Sequence, residues 1–383
     1  MGIAKNKKIL FVYYKLFKAG GVARVLVSLA NELVNNGYEV TILILTSNSD
    51  SFYRIDKRVQ IISINTFSHW GFTKINVNLD KFGSKIPFKN NIKNYVYDFG
   101  QWSMLNKWIN KNHKDYDIVI SCWYKLSAQL ALNKNVRTKT IAWEHANYEV
   151  GGKLWNDTLR RYFKKLKAVV CINNNSYKHY KNININTFMI PNIVGNPFED
   201  FSNLQMVNKE DTLIYVGRLD SDKNVEELIN VLEHINFKNY KFKIIGDGPS
   251  KISLQNKVNT NKKIKNKIEF LGLQDIKTIY NELSKSKIFL FTSKTEAFGL
   301  VLLEAMFTGN AIISYDCNYG PSDIINDNNG FLIPMHNKKM FKEKLQLLID
   351  NNSKLNDLCK SSYEESKKWR KEKIINQWLE ILN

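Results

Sequence analysis

The feature that most limits the possible folds of this chain is a repeated pattern of short apolar segment, glycine loop and amphipathic helix. Lys8 to Tyr14 is apolar, Gly20 and Gly21 follow it, and residues 22–35 carry apolar side chains at helical spacing. Tyr38 to Leu45 is the next apolar segment. This order predicts a βαβ unit, which begins a parallel sheet with helices on both faces.

The same pattern starts again in the second half of the chain. Apolar segments expected to be strands lie at 118–122, 139–143, 168–172 and 187–192, and then at 212–217, 240–246, 268–271, 288–292 and 311–314. A chain of 383 residues fits two domains of roughly 150–200 residues each. We therefore expect an α/β protein with two doubly wound Rossmann-like domains, whose strand ends face a shared cleft.

The expected domain limits are residues 1–196 and 197–366, followed by an amphipathic C-terminal helix within 367–383. No apolar run approaches the roughly 18–20 residues that span a bilayer, so no transmembrane helix is expected. The N-terminal apolar run is too short for a secretory signal. The four cysteines are scattered without metal or disulfide spacing, which indicates a reducing, cytoplasmic compartment.

The net charge of +20 is concentrated in one half of the chain. Residues 1–196 hold 29 Lys and Arg against 11 Asp and Glu, whereas residues 197–383 hold 27 against 25. Such an asymmetry indicates an anionic partner for the first half: a membrane surface, a lipid diphosphate or nucleic acid.

Two carboxylates surround the start of a helix that follows a buried strand. Glu296 lies just before the helix expected at residues 300–307, and Glu304 lies inside it. The first turn of a helix favours an anion such as phosphate, so two carboxylates there suit the hydroxyls of a sugar instead. A simple partner of the helix dipole would explain Glu296 alone, but not the pair.

The Glu-x7-Glu spacing, with Phe298-Gly299-Leu300 between the two residues, resembles the signature of the family 4 retaining glycosyltransferases of the GT-B fold. This resemblance implies that Glu296 holds donor-sugar hydroxyls and Glu304 the ribose of a nucleotide. It also implies that the last helix crosses back to the N-terminal domain. The implied donor-binding residues of this motif are Phe298, Gly299, Leu300, Val301 and Glu304.

Gly217-Arg218 ends the strand expected at 212–217, and Lys223 follows five residues later. Arginine grips a phosphate with two hydrogen bonds and lysine adds a compact charge, so the pair is typical of a diphosphate clamp. Surface pairing with nearby acids is the alternative. In the family these positions bind the donor diphosphate. Gly246, in a Gly-x-Gly-Pro turn, and Leu273, near the nucleotide base, complete the implied donor site, although the turn could be purely structural.

Two N-terminal motifs also match the family. Gly20 and Gly21 can bring backbone N–H groups close to a phosphate or sugar, or can simply cap a helix. His145 follows an expected strand, and in the family the matching histidine approaches the transferred sugar. Alternatively, His145 has a purely structural role. Glu144 either orients His145 or points away from it.

The resemblance implies a front-face mechanism, in which the leaving diphosphate helps to deprotonate the acceptor hydroxyl. Glu296, His145, Arg218 and Lys223 are the expected catalytic residues. No Asp-x-Asp motif is placed at a strand end, so neither a metal nor another cofactor is expected. The donor is expected to be a nucleotide-diphospho-sugar, most simply a UDP-sugar.

The acceptor is indicated only by the basic N-terminal half. Residues 66–114 and 154–167 interleave aromatic residues with cations, including Lys81, Phe82, Lys85, Phe88, Trp155, Arg160 and Phe163. Such surfaces suit anionic headgroups, although a basic helix can also be merely solvated. We expect a peripheral protein of the inner membrane face that acts on a polyprenyl-diphosphate-linked or cell-surface glycan.

Two other functions remain open on the sequence alone. One is a GT-B sugar-nucleotide epimerase, which would consume donor without an acceptor. The other is a basic nucleic-acid-binding or membrane-binding protein without catalysis. The nucleic-acid alternative leaves Glu296, Glu304, Arg218 and Lys223 without a role, so no nucleic-acid partner is expected.

Overall fold

A computed structural model of the protein describes residues 7–18, 20–82, 89–152, 158–199 and 209–383. The chain divides into two compact units. The first comprises the chain up to Ile190 together with Ile375–Asn383, and the second comprises Pro191–Ile374. The boundary expected at residue 196 thus lies after Ile190, and the second unit extends to Ile374 rather than to residue 366.

The first unit contains a seven-stranded parallel sheet in the order β3-β2-β1-β4-β5-β6-β7. Its elements are β1 (Lys8–Tyr13), α1 (Gly21–Asn35), β2 (Glu39–Ile44), β3 (Gln60–Ser63), α2 (Val77–Phe82), α3 (Lys89–Asn112), β4 (Ile118–Ser121), α4 (Tyr124–Leu132), β5 (Thr140–Glu144), β6 (Ala168–Cys171), α5 (Asn174–Lys181) and β7 (Thr187–Met189).

The second unit contains a six-stranded parallel sheet in the order β10-β9-β8-β11-β12-β13. Its elements are β8 (Glu210–Val216), α6 (Val225–Leu232), β9 (Lys241–Ile245), α7 (Lys251–Thr260), β10 (Ile268–Gly272), α8 (Ile276–Lys285), β11 (Ser286–Phe291), α9 (Leu300–Phe307), β12 (Ala311–Asp316), α10 (Pro321–Ile324), β13 (Gly330–Pro334), α11 (Lys338–Asp350) and α12 (Asn352–Ser366); α13 (Lys371–Leu382) then leads back to the first unit.

The central strands are buried on both faces, as expected for parallel sheets covered by helices. In β1 four consecutive side chains, Ile9 to Val12, have no solvent exposure. Helix α1 buries one stripe of apolar residues against the sheet, and Gly37, with φ of 87°, follows its end. A left-handed residue there ends a helix without the strain that a side chain would add.

Strands β3 and β13 were not predicted, and each lies at one edge of its sheet. The side chains of β3 are half-buried or exposed, and β13 has two buried, two half-buried and one exposed position and ends in proline. The apolar runs in β3 and β13 are only two and three residues long, which is shorter than the roughly four to eight residues that mark a buried strand.

The C-terminal helix α13 contributes its last residues to the first unit. Trp378 is fully buried, and its ring meets that of Trp143 edge-on at 5.0 Å. Lys7 Nζ donates to Leu382 O at 2.9 Å, at the helix end where a cation is favoured. None of the helices in the described part of the chain has both the length and the apolar character that crossing a bilayer requires.

Candidate active site

In the second unit, glycine residues join neighbouring strand ends at the carboxyl edge of the sheet. Gly217, after β8, donates its N–H to Ile245 O at 3.0 Å. Gly246, after β9, donates to Gly272 O at 2.8 Å. Gly246 has φ of 144°, and a Cβ there would lie 1.8 Å from Gly217 O. Close backbone packing therefore requires glycine at 246, which supports the structural interpretation of this turn.

Arg218 and Lys223 lie on the loop between β8 and α6. The Arg218 side chain is 70% exposed, and its Nε contacts the carboxylate of Asp220. The other oxygen of Asp220, Oδ1, accepts the backbone N–H of Lys223 at 3.0 Å. Asp220 thus pairs with Arg218 and also shapes the loop that carries both cations.

Glu296 and Lys223 form an ion pair, with side chains 13% and 25% exposed. Thr292, directly after β11, supports the pair because its hydroxyl lies 3.2 Å from the backbone oxygens of Lys223 and Asn224. Strands β8 and β11 are neighbours in the sheet. The loops that follow them therefore place an ammonium and a carboxylate side by side, a contact that the sequence motifs did not reveal.

A second group of residues, also missed by the sequence analysis, holds the backbone next to Lys223. Asn224 is left-handed, with φ of 54°, and its side chain donates to Glu227 at 3.3 Å. The Tyr315 hydroxyl donates to Glu227 at 2.7 Å. Burial opposes ionisation of Glu227, but hydrogen bonds from Tyr315, Asn224 and His336 outweigh it and lower its pKa. Since Tyr315 and His336 are far from Glu227 in the chain, no sequence motif predicts these contacts.

Helix α9 begins where the motif predicted. Gly299 precedes it with φ of 85°, and a Cβ there would lie 2.9 Å from Leu302 Cδ1. Leu300 and Val301 form its half-buried first turn, whose N–H groups have no acceptor within the helix itself. Glu304 is buried one turn further on.

Two more predicted donor-binding residues differ in exposure. Phe298 is buried, with its ring 6.1 Å from that of Trp369. Leu273, directly after β10, has a side chain that is 75% exposed. Among the residues that the structure describes, no group of three or more His, Cys, Asp or Glu side chains is arranged to hold a metal ion.

In the first unit, Gly20 and Gly21 stand at the start of α1. The Gly20 N–H donates to the Tyr53 hydroxyl at 3.1 Å, and no sequence pattern predicted this contact. Gly20 is fully extended, with φ of 179°, and a Cβ on either glycine would meet open space. The described residues around them therefore impose no steric need for glycine at these two positions.

His145 follows β5 and is buried, with its ring 4.2 Å from that of Trp143. Burial lowers the pKa of His145 to about 3, so the imidazole is neutral near pH 7. Within the described ranges its Nε2 atom has no hydrogen-bond partner. Glu144 instead accepts a hydrogen bond from the Tyr180 hydroxyl at 2.7 Å, and its Oε2 lies 3.7 Å from Arg160 Nε.

The basic segment 154–167 is a surface only in part. Arg160 and Phe163 belong to a short 3₁₀-helix, Arg160–Lys165, and both are fully buried. The prediction that both belong to a surface for anionic headgroups was therefore wrong, because Arg160 points into the protein to bind Glu144 and backbone oxygens. Trp155 lies outside the described residues.

Residues 66–114 do expose aromatic side chains. Phe67, Trp70, Tyr95 and Phe99 form what we call the aromatic surface, and all four are exposed. Rings of Trp70 and Phe99 lie 5.3 and 6.2 Å from that of His69. The side chain of Phe82, and the residues Lys85 and Phe88, lie outside the described part of the chain.

Two protein-family models match the chain in succession. The model described as "Glycosyltransferase Family 4" matches residues 19–194, and the one described as "Glycosyl transferases group 1" matches residues 198–369. The first match includes Gly20 and His145, and the second includes Arg218, Lys223 and Glu296.

Relatives of known name match over nearly the whole length. The amylovoran biosynthesis glycosyltransferase AmsD of Erwinia amylovora is 26% identical, and the match covers 98% of this chain and 99% of AmsD. A Campylobacter jejuni enzyme is 25% identical, with 98% of each chain covered. It is named as an α-1,4-N-acetyl-D-galactosaminyltransferase that acts on GalNAc-α-(1→4)-GalNAc-α-(1→3)-diNAcBac-PP-undecaprenol.

Solved structures share the fold at low identity. TarM of S. aureus, crystallised with UDP, fondaparinux and α-GlcNAc-glycerol, has a TM-score of 0.74 and 17% identity, with 98% of this chain and 100% of TarM covered. HepE (Alr3699) of Anabaena, crystallised with UDP, has a TM-score of 0.72 and 16% identity, with 98% and 99% covered. The chain therefore belongs to the GT4-type glycosyltransferases of the GT-B fold, and the protein is a glycosyltransferase enzyme.

Proposed function

We propose that this enzyme transfers a sugar, with retention of configuration, from a UDP-sugar to a hydroxyl of a lipid-linked or cell-surface glycan in bacterial polysaccharide assembly. The observation that carries the donor proposal is the Lys223–Glu296 ion pair, which lies close to the exposed Arg218 loop. The named relatives support the glycan acceptor, and the UDP-bound structures support the nucleotide.

The charged groups at this edge of the sheet would bind different parts of the donor. Arg218, Lys223 and the first turn of α9 would bind the diphosphate, because guanidinium, ammonium and helix N–H groups all favour anions. The carboxylate of Glu296 would then accept hydrogen bonds from sugar hydroxyls. Without donor the two charges neutralise each other. With donor, each gains a ligand group of the chemistry it prefers.

The remaining predicted residues have proposed roles within their own units. Glu304 would hold the ribose, and the backbone near Gly217, Gly246 and Leu273 would border the nucleotide. Gly20 and Gly21 lie on an open part of the surface. Their lack of side chains would let a phosphate or sugar approach the backbone N–H groups directly.

His145 would contact the transferred sugar as a neutral imidazole. With a pKa of about 3 it carries no charge at physiological pH. A neutral ring has one N–H donor and one acceptor nitrogen, and Nε2 has no partner among the described residues. Such a group can orient a hydroxyl without adding charge to the site.

The proposed reaction is a front-face displacement. The bond between the sugar C1 and the diphosphate oxygen breaks, and the acceptor oxygen bonds to C1 from the same face. The proton of the acceptor hydroxyl passes to the departing diphosphate. Arg218, Lys223 and the start of α9 would stabilise the negative charge that develops there, which is the usual main source of rate acceleration. Transfer is proposed to need no metal or other cofactor.

A donor screen tests this function. UDP-, GDP- and ADP-sugars are each titrated against the protein, and the thermal stabilisation gives a Kd for each donor. The stabilising donor is then incubated with polyprenyl-diphosphate-linked glycans, with and without EDTA, and the product's anomeric configuration is determined by NMR. Donor consumption that ignores the acceptor would instead support an epimerase.

We also propose that the aromatic surface binds the anionic inner face of the cytoplasmic membrane. Trp70, Tyr95 and Phe99 are largely exposed, and lysines such as the exposed Lys74 and Lys81 lie on the same segment. Amphipathic aromatic rings favour the interface of a bilayer, and lysines are attracted to its anionic lipids. The excess positive charge of residues 1–196 supports the same partner.

A further inference from the structure

A fully buried arginine in the first unit holds the loop that follows His145. This loop, residues 146–152, begins directly beyond the end of β5. Arg160 Nη1 donates to Tyr148 O and to Val150 O, each at 2.6 Å. One guanidinium nitrogen thus fixes two backbone carbonyls of the loop.

The other contacts of Arg160 fix the guanidinium itself. Its Cζ lies 4.2 Å from the centre of the Tyr124 ring on α4. Its Nε is 3.7 Å from Glu144 Oε2, and this carboxylate is oriented by the Tyr180 hydroxyl of α5. The strand end, two helices and the loop are therefore connected through a single buried cation.

Burying such a network is costly, so stability alone is a poor reason for it. Removing an arginine from water carries a penalty that its ion pair seldom exceeds, and apolar replacements are often as stable. What a planar guanidinium adds is direction, because its N–H groups point at fixed angles toward their acceptors. Lysine cannot reproduce this geometry.

Buried contacts hold one side of the loop, and the other side carries exposed residues. The side chain of Tyr148 stacks on the His179 ring at 4.0 Å with an interplanar angle of 6°. Glu149 and Val150 are exposed, and Gly151 and Gly152 follow with positive φ. The loop therefore presents exposed residues next to His145 on a backbone that is held in place.

We propose that Arg160 is a positioning residue, which holds loop 146–152 in the conformation that binds the glycan acceptor beside His145. This inference rests on the proposed function, because it assigns the loop to the acceptor of that reaction. Arg160 itself touches neither donor nor acceptor; it acts through the carbonyls of Tyr148 and Val150.

The test compares Arg160→Lys in the full-length protein with Arg161→Lys, a matched control at the exposed neighbouring position. Hydrogen–deuterium exchange of loop 146–152 is measured first. Arg160→Lys should raise it about tenfold or more, because hydrogen bonds from a charged donor are lost. Exchange in β6 should stay unchanged in both variants.

The same two variants are then assayed with donor and acceptor. For Arg160→Lys we expect kcat/KM for a polyprenyl-diphosphate-linked glycan to fall about tenfold or more, because the acceptor loop is no longer held. Thermal stabilisation by UDP-sugar should be unchanged. Arg161→Lys should behave as wild type in both assays.

Three results would overturn the proposal: unchanged loop exchange in Arg160→Lys, equal loosening of β6, or faster loop exchange with unchanged transfer. Tyr180→Phe, which removes the hydrogen bond that orients Glu144, provides a milder variant if Arg160→Lys does not fold. It should loosen the loop to a smaller extent, and no change would count against the proposal. Exchange needs no sugar, so wild-type protein that transfers no sugar would refute the proposed function without affecting the exchange result.

Discussion

Lys223 and Glu296 are 73 positions apart in the chain, yet they form the most informative contact of the second unit. Each was recognisable beforehand, Lys223 as a cation after a strand and Glu296 from its spacing to Glu304. Their pairing depends on β8 and β11 being neighbours in the sheet. At the residue scale, local sequence therefore predicted the chemical groups but not their partners.

Replacement of Glu296 should separate binding of the sugar from stability of the fold. Glu296→Gln is expected to lower transfer at least about 100-fold, because it removes a charged acceptor for sugar hydroxyls and disturbs Lys223. Glu226→Gln is the matched control, since Glu226 also pairs with a lysine, Lys257, but is exposed on α6. Initial rates and urea unfolding are measured for both variants. Normal turnover in Glu296→Gln would remove Glu296 from the site.

The addition of one methyl group should lower stability at one glycine and activity at another. Gly246→Ala would place a Cβ against Gly217 O, so the free energy of unfolding should fall by at least about 2 kcal/mol. Gly20→Ala meets open space and should unfold like wild type. Its transfer rate should nevertheless fall about tenfold, because the methyl group would crowd the approach to the backbone N–H groups of the first turn of α1. Wild-type activity in a stable Gly20→Ala protein would show that capping is the only role of this glycine.

The buried neutral state of His145 predicts a loss of stability in acid. Above about pH 6.5 the ring is neutral in both the folded and the unfolded chain. Below it, the unfolded chain gains a proton that the folded one does not accept until its pKa of about 3. Between about pH 6.5 and pH 3, this group should therefore lower the free energy of unfolding by about 1.4 kcal/mol for each unit by which the pH falls.

The measurement is urea unfolding at pH 7 and pH 5 for wild type and for His145→Gln. The acid loss should be smaller in the variant, whereas replacement of the exposed His234 by Gln should leave it unchanged. An equal loss in wild type and His145→Gln would refute the assignment. Throughout the usual assay range His145 should not contribute a titration to the rate.

At the scale of elements, the central strands and helices follow from local patterns. Helix α9 was predicted with the same limits that it has in the structure, because Gly299 and the apolar run after it mark both its start and its buried character. The edge strands β3 and β13 were missed, since their apolar runs are only two and three residues long. Segment 154–167 was misjudged because burial of Arg160 depends on Glu144 and Tyr124.

Helix α13 should stabilise the first unit through its buried tryptophan. Trp378→Ala removes a fully buried ring that packs on Trp143, so the free energy of unfolding should fall by about 3–5 kcal/mol. Trp70→Ala, at an exposed position, is the control and should change it little. Both are compared by urea unfolding followed by circular dichroism. Equal stability of the two variants would contradict the packing role of α13.

At the scale of the whole molecule, charge is the property that most separates the two halves of the sequence. The excess of cations in residues 1–196 and the aromatic surface predict binding to anionic vesicles. In flotation, wild type should rise with phosphatidylglycerol vesicles at low salt and remain below with neutral phosphatidylcholine vesicles. A rise in salt should release it, because screening weakens attraction between exposed charges.

Replacing Trp70 and Phe99 together by Ser should weaken flotation without affecting UDP-sugar binding, because both residues are exposed and neither belongs to the proposed donor site. Ile252→Ser is the control, since Ile252 is an exposed apolar residue of the second unit. Wild-type protein that stays with the soluble fraction at low salt would refute the membrane proposal. Equal flotation of the variants would place the contact elsewhere.

The sequence by itself determined the two parallel α/β units, the positions of the glycine loops and the spacing of Glu296 and Glu304, because strand period, turn chemistry and helix starts depend on neighbouring residues. Only the tertiary structure decided that Lys223 pairs with Glu296, that burial keeps His145 neutral and that Arg160 holds a loop instead of facing solvent. Pairing and burial depend on segments far apart in the chain, which only the folded arrangement brings into contact.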